Sequence, residues 1–125
     1  MVVSERMSSP VVTVPTDTDF QTALALMQRR KLRRLPVVDG KGALVGIVAE
    51  RDLLLAATRF LQSRVEVSDI MKKRVVTIPP GSLLKDAARL MLENKVGGLP
   101  VVEDGVLVGM ITESDIFRRF TELQS

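Results

Sequence analysis

The chain repeats itself at a nearly constant spacing, and this feature constrains its fold more than any other. Residues 11–15 recur as 75–79 and residues 35–39 recur as 99–103, in both cases 64 positions later. Residues 44–48 recur as 107–111, which is 63 positions later. A spacing kept over most of a chain is the signature of a duplicated structural unit. We therefore expect two copies of one fold.

Each copy contains the pattern of three short strands. In the first copy, residues 11–14 form a β-branched run that predicts a strand ending at Pro15. Further strands are predicted at residues 34–38 and 44–48, with a glycine-rich turn between them. The second copy repeats all three runs.

Each copy also predicts two helices. Thr18 and Gln21 have the spacing of a capping box, and Ser82 has the cap position in the second copy. Apolar residues follow at helical intervals in both copies. A second helix is expected to begin near Glu50. The predicted unit is therefore a β-α-β-β-α motif, and the predicted fold class is α/β (α+β).

The two motifs are expected to span residues 1–61 and 68–125, with a short polar linker at 62–67. One motif of about 60 residues has little core relative to its surface. Two motifs can each cover the exposed sheet face of the other. We therefore expect a pseudo-two-fold pair that packs through its sheets.

The composition argues against catalysis. The chain has no His, Cys, Trp or Tyr, so the commonest general base, the thiol nucleophile and the usual zinc ligands are missing. The sequence shows no nucleophile–base pair and no cluster of metal-ligating residues. We expect a protein that is not an enzyme and that requires no cofactor or metal.

The composition also narrows the choice of partners. No apolar run approaches the ~18 residues of a membrane-spanning helix, and residues 1–6 do not have the pattern of a signal peptide. A cytoplasmic location is the default expectation. Basic clusters at residues 29–34 and 72–74 come with no nucleic-acid recognition motif and with 3% aromatic residues, so nucleic acid is not favoured as a partner.

Three features occur in both copies: a Leu-Pro-Val-Val-acid strand, a Leu-Val-Gly strand and an Asp near the start of the next helix. Together they resemble the cystathionine-beta-synthase (CBS) domain, two of which in tandem form a Bateman module. The resemblance implies a regulatory module that binds AMP, ADP or ATP, or alternatively S-adenosylmethionine, and that regulates a protein the sequence does not identify. Because some members bind no nucleotide, a structural dimerisation scaffold is the alternative function.

Asp115 is the strongest candidate for a ligand-binding residue. A carboxylate can accept hydrogen bonds from both vicinal hydroxyls of a ribose, and the resemblance assigns the ribose to this residue. Thr112 and Ser114 are expected to contact phosphate, together with the free N–H groups of a helix N-terminus. The alternative is that Thr112 and Asp115 form only a helix capping box.

The first copy departs from this pattern. Asp52 has the ribose position, but Ala49 lacks the hydroxyl group of the second copy. Arg51 is a phosphate candidate because a guanidinium group offers two parallel donors. The resemblance adds Arg33 and Arg34 as phosphate contacts. The alternative for these arginines is a solvated basic surface.

The resemblance also implies an apolar slot for the adenine ring, bordered by residues of the first strand in each copy. Threonine is also an ordinary strand former, so a purely structural role is the alternative. The residues concerned are Val12, Thr13, Val76, Thr77 and Ile78.

The second helix of each copy carries apolar residues over a broad arc. One interpretation is a fully buried helix, and the other is the seam of a homodimer, which the resemblance favours. The residues expected at such a seam are Leu54, Ala57, Phe60, Phe117 and Phe120.

Overall fold

The structure, a computed structural model, describes residues 1–59 and 64–124. The strands and helices confirm the α+β class, and the first copy has the predicted order. The strand predicted at residues 75–79 of the second copy is wrong, because Ile78 there makes only an isolated bridge with Val101. The elements are a 3-10 turn (Val3–Glu5), β1 (Val14–Pro15), α1 (Phe20–Arg30), β2 (Arg34–Val38), β3 (Leu44–Ala49), α2 (Glu50–Arg59), α3 (Val67–Ile70), α4 (Leu84–Asn94), β4 (Gly98–Glu103), β5 (Val106–Thr112) and α5 (Glu113–Gln124).

The chain packs into two units, each with its own hydrophobic core. The central unit is Val12–Val75, and the split unit combines Met1–Val11 with Val76–Ser125. The first residues of the chain therefore belong with the second copy of the repeat. The predicted boundaries at 1–61, 62–67 and 68–125 follow the repeat in the sequence, so packing and repetition divide the chain at different points.

In the central unit, β2 is the middle strand, parallel to β1 and antiparallel to β3. Leu35 on β2 is fully buried against Phe20 on α1 and Leu53 on α2, and each such side chain contributes roughly 1.5–3 kcal/mol on burial. The prediction for β2 and β3 is confirmed. The bounds predicted for the first strand are wrong, because only Val14 and Pro15 pair with β2.

Asp19, not Thr18, caps α1. The Asp19 carboxylate accepts a hydrogen bond of 3.0 Å from the amide of Gln21, as expected for a residue type favoured at this position. The prediction of Thr18 as the cap is wrong by one residue. The backbone of Thr18 is used in the preceding turn, where its amide donates to Pro15 and its carbonyl accepts from Val67.

In the split unit, the N-terminal segment completes the core. Val3 is fully buried, and its amide donates to the carbonyl of Ser82 at 2.8 Å. Ser8 and Met110 exchange two backbone hydrogen bonds, so the segment also runs beside β5. The prediction of Ser82 as the cap of α4 is wrong, because the helix begins at Leu84 and Ser82 lies in the turn before it.

The Leu-Val-Gly strands carry glycine because another segment crosses them closely. A Cβ atom on Gly46 would lie 2.3 Å from the sulfur of Met71, and one on Gly109 would lie 2.5 Å from the sulfur of Met7. Both distances are shorter than van der Waals contact, so the repeat of this glycine preserves the same crossing in both units.

Candidate functional site

The start of α5 is the most tightly organised polar site that the described residues contain. β5 ends at Thr112 and α5 begins at the next residue. The amide and the hydroxyl of Thr112 donate to Oδ2 of Asp115 at 2.8 and 3.0 Å, and the Asp115 amide donates back to the hydroxyl at 3.4 Å. The Asp115 side chain is only 4% exposed. Thr112 and Asp115 therefore form the reciprocal helix cap that was one of the two interpretations of this motif.

The second oxygen of Asp115 is also occupied. A guanidinium nitrogen of Arg118 donates to Oδ1 in a short ion pair along the helix. The Arg118 side chain is 69% exposed, so it can turn into solvent at little steric cost. A carboxylate oxygen offers about two lone pairs. Oδ2 uses both for Thr112, and the acceptor capacity that remains for any ligand lies on Oδ1.

Two backbone segments lie near this helix start. Gly98 at the start of β4 pairs with Thr112, and the carbonyl of Gly97 accepts a hydrogen bond of 3.0 Å from the Glu113 amide. On the other side of β4, Ile78 bridges Val101 in a parallel arrangement. Residues 76–77 therefore run toward the start of β4, at the same end of the unit as Asp115.

The side chains predicted to line the adenine slot differ in their surroundings. In the split unit, Ile78 is 2% exposed and belongs to the hydrophobic core, Val76 packs against that core, and Thr77 is exposed. In the central unit, Val12 and Thr13 are partly buried just before β1. Thr13 is thus the polar residue of the predicted adenine slot in the central unit, and Thr77 is the polar residue of the one in the split unit.

The central unit repeats the arrangement with different side chains. Arg34 at the start of β2 pairs with Ala49, and the carbonyl of Arg33 accepts a hydrogen bond of 2.8 Å from the Glu50 amide. Arg33 and Arg51 are exposed, whereas Asp52 is partly buried. The fold therefore gathers the basic candidates at the start of α2, and Ala49 leaves this helix without the hydroxyl cap of α5.

The predicted residues form two sets, one in each unit. The central unit holds Val12, Thr13, Arg33, Arg34, Arg51 and Asp52. The split unit holds Val76, Thr77, Ile78, Thr112, Ser114 and Asp115. Ser114 is exposed on the first turn of α5. Within each unit the set lies around the start of the β2 or β4 strand.

The second helices expose part of their apolar arc. Leu53 and Ala56 are buried on α2, whereas Leu54 and Leu55 are 45% and 50% exposed. Phe117 and Phe120 on α5 are 68% and 58% exposed. The interpretation of a fully buried helix is therefore wrong for both. Ala57 is partly buried, and Phe60 lies outside the described residues.

None of the ion pairs among the described residues was predicted, and the pairs of Arg118 and Arg6 lie in or beside α5. Arg118 beside Asp115 has the i, i+3 spacing of a helix pair, so the sequence contained a signal for it. Arg6 in the N-terminal segment donates two hydrogen bonds to Glu122, 116 residues away, and no sequence pattern indicates such a pair. The hydrogen bonds from Arg6 lower the pKa of the Glu122 carboxyl group, and Arg119 adds to the effect at 3.8 Å.

Comparison with known proteins identifies the fold. The sequence profile of the CBS domain matches residues 3–59 and again residues 67–122. The chain belongs to the CBS domain family. The two matches cover most of the chain, so it contains a tandem CBS pair, as the repeat and its motifs predicted.

Relatives of this CBS pair include short and long proteins. A CBS domain-containing protein of Dictyostelium discoideum is 41% identical over 93% of this chain and 88% of its own length. Inosine-5'-monophosphate dehydrogenase of Nitrosopumilus maritimus is 38% identical over 82% of this chain, but the match spans only 21% of that enzyme. The enzyme's activity therefore does not transfer through this match.

Solved CBS pairs superpose closely on this one. The CBS domain pair of protein MJ0100, in complex with 5'-methylthioadenosine and S-adenosyl-L-methionine, has a TM-score of 0.90 at 28% identity, with 98% of this chain and 97% of that chain covered. CBSX2 in complex with AMP has a TM-score of 0.85 at 33% identity, with 99% of this chain and 98% of that chain covered.

Across residues 1–59 and 64–124, no helix has the length and apolar character needed to cross a bilayer.

Proposed function

We propose that this CBS pair is a regulatory module without catalysis that binds an adenosine nucleotide of the AMP, ADP or ATP type. The observation that carries the proposal is the buried carboxylate of Asp115 at a helix N-terminus, with acceptor capacity on one oxygen. A ribose diol is suited to such an acceptor, and a helix N-terminus favours the phosphate that follows the sugar. Complexes of similar CBS pairs with AMP and S-adenosyl-L-methionine support an adenosyl ligand.

Each group of residues has a role in this proposal. Asp115 and its counterpart Asp52 accept from ribose hydroxyls, and the apolar slots at residues 12–13 and 76–78 take the adenine ring. The phosphate groups contact the hydroxyls and arginines at the helix starts. The residues proposed to contact phosphate are Ser114, Arg33, Arg34 and Arg51, together with Thr112, whose hydroxyl would exchange its bond to Asp115 for one to the phosphate.

The arginines favour one class of adenosyl ligand over another. Arg33 and Arg51 are exposed cations near the start of α2, and the central unit has no matching hydroxyl at Ala49. A cationic surface favours a phosphorylated adenosine over S-adenosylmethionine, which carries a positive sulfonium group. We therefore place AMP, ADP or ATP ahead of S-adenosylmethionine as the ligand.

A structural scaffold is the second candidate, and one observation favours it. Both oxygens of Asp115 already have partners within the chain, Thr112 and Arg118. A carboxylate fully used as a helix cap needs no ligand to explain its burial. In this case the CBS pair acts as a dimerisation module with no nucleotide.

The proposal extends to assembly and location. We propose a homodimer formed through the second helices, because α2 and α5 expose large apolar side chains. We also propose a cytoplasmic location and an unidentified regulated protein as partner. Neither a membrane nor nucleic acid is proposed as a partner.

Thermal unfolding with added ligand tests the two candidates. A dye reports unfolding, because the chain has no Trp or Tyr. A ligand at about 100 times its Kd adds about 2.7 kcal/mol and raises Tm by several degrees. AMP, ADP and ATP are expected to raise Tm more than S-adenosylmethionine does.

Matched variants locate the site. Asp115→Asn keeps the shape of the side chain but loses the charge, and it should abolish the shift caused by AMP. Asp19→Asn makes the same change at the cap of α1, which is not part of the proposed site, and it should leave the shift intact. No shift with any adenosyl compound would exclude the nucleotide module and leave the scaffold.

A further inference from the structure

Residues 3–7 and residues 67–71 share one sequence pattern, which is Val, Ser, an acidic residue, a variable residue and Met. We call this pattern the docking motif. The first stretch packs in the split unit, and the second packs in the central unit. The chain therefore holds two examples of one motif, each bound to a different unit.

The two motifs bind their units through the same main-chain hydrogen bonds. The amide of Val3 donates to the carbonyl of Ser82 at 2.8 Å. The amide of Val67 makes the equivalent bond to the carbonyl of Thr18, also at 2.8 Å. The other equivalent hydrogen-bonded pairs are Ser4–Pro80, Met1–Leu84 and Ser8–Met110 in the split unit, and Ser68–Thr16, Val65–Phe20 and Lys72–Ile47 in the central unit. These bonds do not depend on which chain supplies the segment.

Two side chains anchor each motif to its unit. Val3 and Val67 are fully buried and belong to the two hydrophobic cores. The sulfur atoms of Met7 and Met71 lie against the glycines of the Leu-Val-Gly strands. Docking is therefore favoured because it removes apolar side chains from water.

The acidic residue stabilises the motif itself. The Glu5 carboxylate accepts a hydrogen bond of 3.0 Å from the amide of Val2. The Asp69 carboxylate accepts the equivalent bond, of 3.1 Å, from the amide of Glu66. Each turn is therefore closed by a side chain that lies within its own segment.

The N-terminal motif continues into a unit other than the one that binds it. It packs in the split unit, whereas the chain that follows it enters the central unit at Val12. Ser9 and Pro10, which lie between the two, are exposed. The same segment of another copy could replace it there, because the exchange of identical elements preserves their contacts.

We propose that the surface of the split unit that holds residues 1–8 also binds this segment in trans, and that a second copy of the chain supplies it. The second copy carries the same sequence, so the hydrogen bonds and both anchors are kept. The ion pair of Arg6 is not essential for docking, because the motif of the central unit has Ile70 at this position and makes the same main-chain bonds. The inference goes beyond the proposed function and does not use the apolar side chains proposed for the homodimer.

Val2 and Leu83 provide a reporter of this exchange. They form an antiparallel bridge with a main-chain hydrogen bond on each side of it. In such a pair the Cα atoms lie about 4.5 Å apart, a separation that a disulfide spans. Val2 is partly exposed and Leu83 is 40% exposed, so cysteine at either position leaves the core intact.

Cross-linking tests the exchange, because the chain has no native cysteine. Val2→Cys and Leu83→Cys are prepared as separate chains with different affinity tags, mixed, incubated and oxidised. The expected result is a disulfide-linked heterodimer. Val106→Cys, which is 61% exposed on β5, replaces Leu83→Cys in the control for random collision and should give little heterodimer. A single chain with both Val2→Cys and Leu83→Cys should close an internal disulfide.

Peptides test whether the motif is recognised. In the full chain with Val3→Asp the attached segment loses its buried anchor, and a labelled peptide of residues 1–11 should bind, as followed by fluorescence anisotropy. An unlabelled peptide of residues 65–75 should displace it, because it carries the same motif. Val3→Asp in the peptide should weaken binding by about tenfold or more, since a charge would enter the core. Ser4→Asp adds the same charge at an exposed position and should have little effect.

The outcomes separate this inference from the proposed homodimer. If the double variant closes its internal disulfide but the mixed single variants give no more heterodimer than the control, the segment stays on its own chain and the exchange is overturned. A dimer seen by sedimentation would then still support the homodimer through the second helices. If neither peptide binds the Val3→Asp chain, recognition of the motif in trans is overturned.

Discussion

Oδ2 of Asp115 accepts hydrogen bonds from both the amide and the hydroxyl of Thr112, at 2.8 and 3.0 Å. The same carboxylate is the proposed acceptor for a ribose. The cap holds one oxygen in a fixed position and leaves the other to exchange between Arg118 and a ligand. A structural role and a binding role are therefore compatible in one side chain.

Replacing Thr112 by Val tests the cap. The backbone bond to Asp115 stays, but the hydroxyl bond and its return bond are lost, so the free energy of unfolding should fall by about 1 kcal/mol. Urea denaturation measures the change. Ser114→Ala, an exposed position on the same turn, is the control and should be near neutral. Equal effects of the two variants would contradict the role of the Thr112 hydroxyl.

Replacing Arg118 by Leu tests whether this side chain competes with the ligand. The exposed ion pair contributes roughly 0.2–1 kcal/mol, so its removal should raise the affinity for adenosine by about 1.5- to 5-fold. Titration calorimetry measures the affinity. Arg119→Leu removes a neighbouring charge that contacts Glu122, not Asp115, and should leave the affinity unchanged. Weaker binding by Arg118→Leu would show that the guanidinium group contacts the ligand instead.

Replacing Gly46 or Gly109 by Ala tests the close crossing of the strands. The added methyl group would meet Met71 or Met7, and also the carbonyl of Lys72 or Ser8 at 3.1 or 3.0 Å. Overpacking of this kind costs about 1–3 kcal/mol, measured by urea denaturation. Gly81→Ala is the control, since nothing lies within 4 Å of its added Cβ. If Gly46→Ala and Gly109→Ala unfold with the same free energy as Gly81→Ala, the segments that carry Met71 and Met7 can move aside without cost.

The ion pair between Arg6 and Glu122 predicts a pH dependence of stability. Hydrogen bonds from Arg6 hold the pKa of Glu122 below its ordinary value of 4.5. The stability it contributes is thus fully present above about pH 4.5 and is lost as the pH falls through the lowered pKa. At neutral pH, urea denaturation should give the native chain a higher free energy of unfolding than Glu122→Gln. This difference should disappear in acid. A difference in unfolding free energy that persists at the lowest pH would contradict the assignment. Glu93→Gln, a change at an exposed residue of α4, is the control and should show no pH-dependent difference from the native chain.

The sequence predicted those parts of the fold that depend on local pattern. β2 was predicted with its observed bounds, since an apolar run with a turn after it marks a strand. The helix cap was misplaced from Asp19 to Thr18, because neighbouring polar residues compete for that position. The pairing of Thr112 with Asp115 was one of two interpretations, and it could be read from the sequence because a capping box is a local motif.

Contacts between distant parts of the chain could not be predicted. The spacing of the repeat gave no reason to expect that Val3 lies in the core with Ile111. Residues 3–7 resemble residues 67–71, and the repeat alone assigns each of these segments to its own copy. The pair between Arg6 and Glu122 likewise depends on the packing of the N-terminal segment with the second copy. The role of Arg118 at Asp115 could have been inferred from its spacing, but the burial of that carboxylate could not.

The split unit joins the two ends of the chain, and this has a consequence for biosynthesis. The central unit is complete in sequence once Val75 has been added. Val3 and Ser8 are made long before their partners Ser82 and Met110, and contacts over such separations form slowly. The N-terminal segment is therefore made before its partners, and it can complete the split unit only after Met110 has been added.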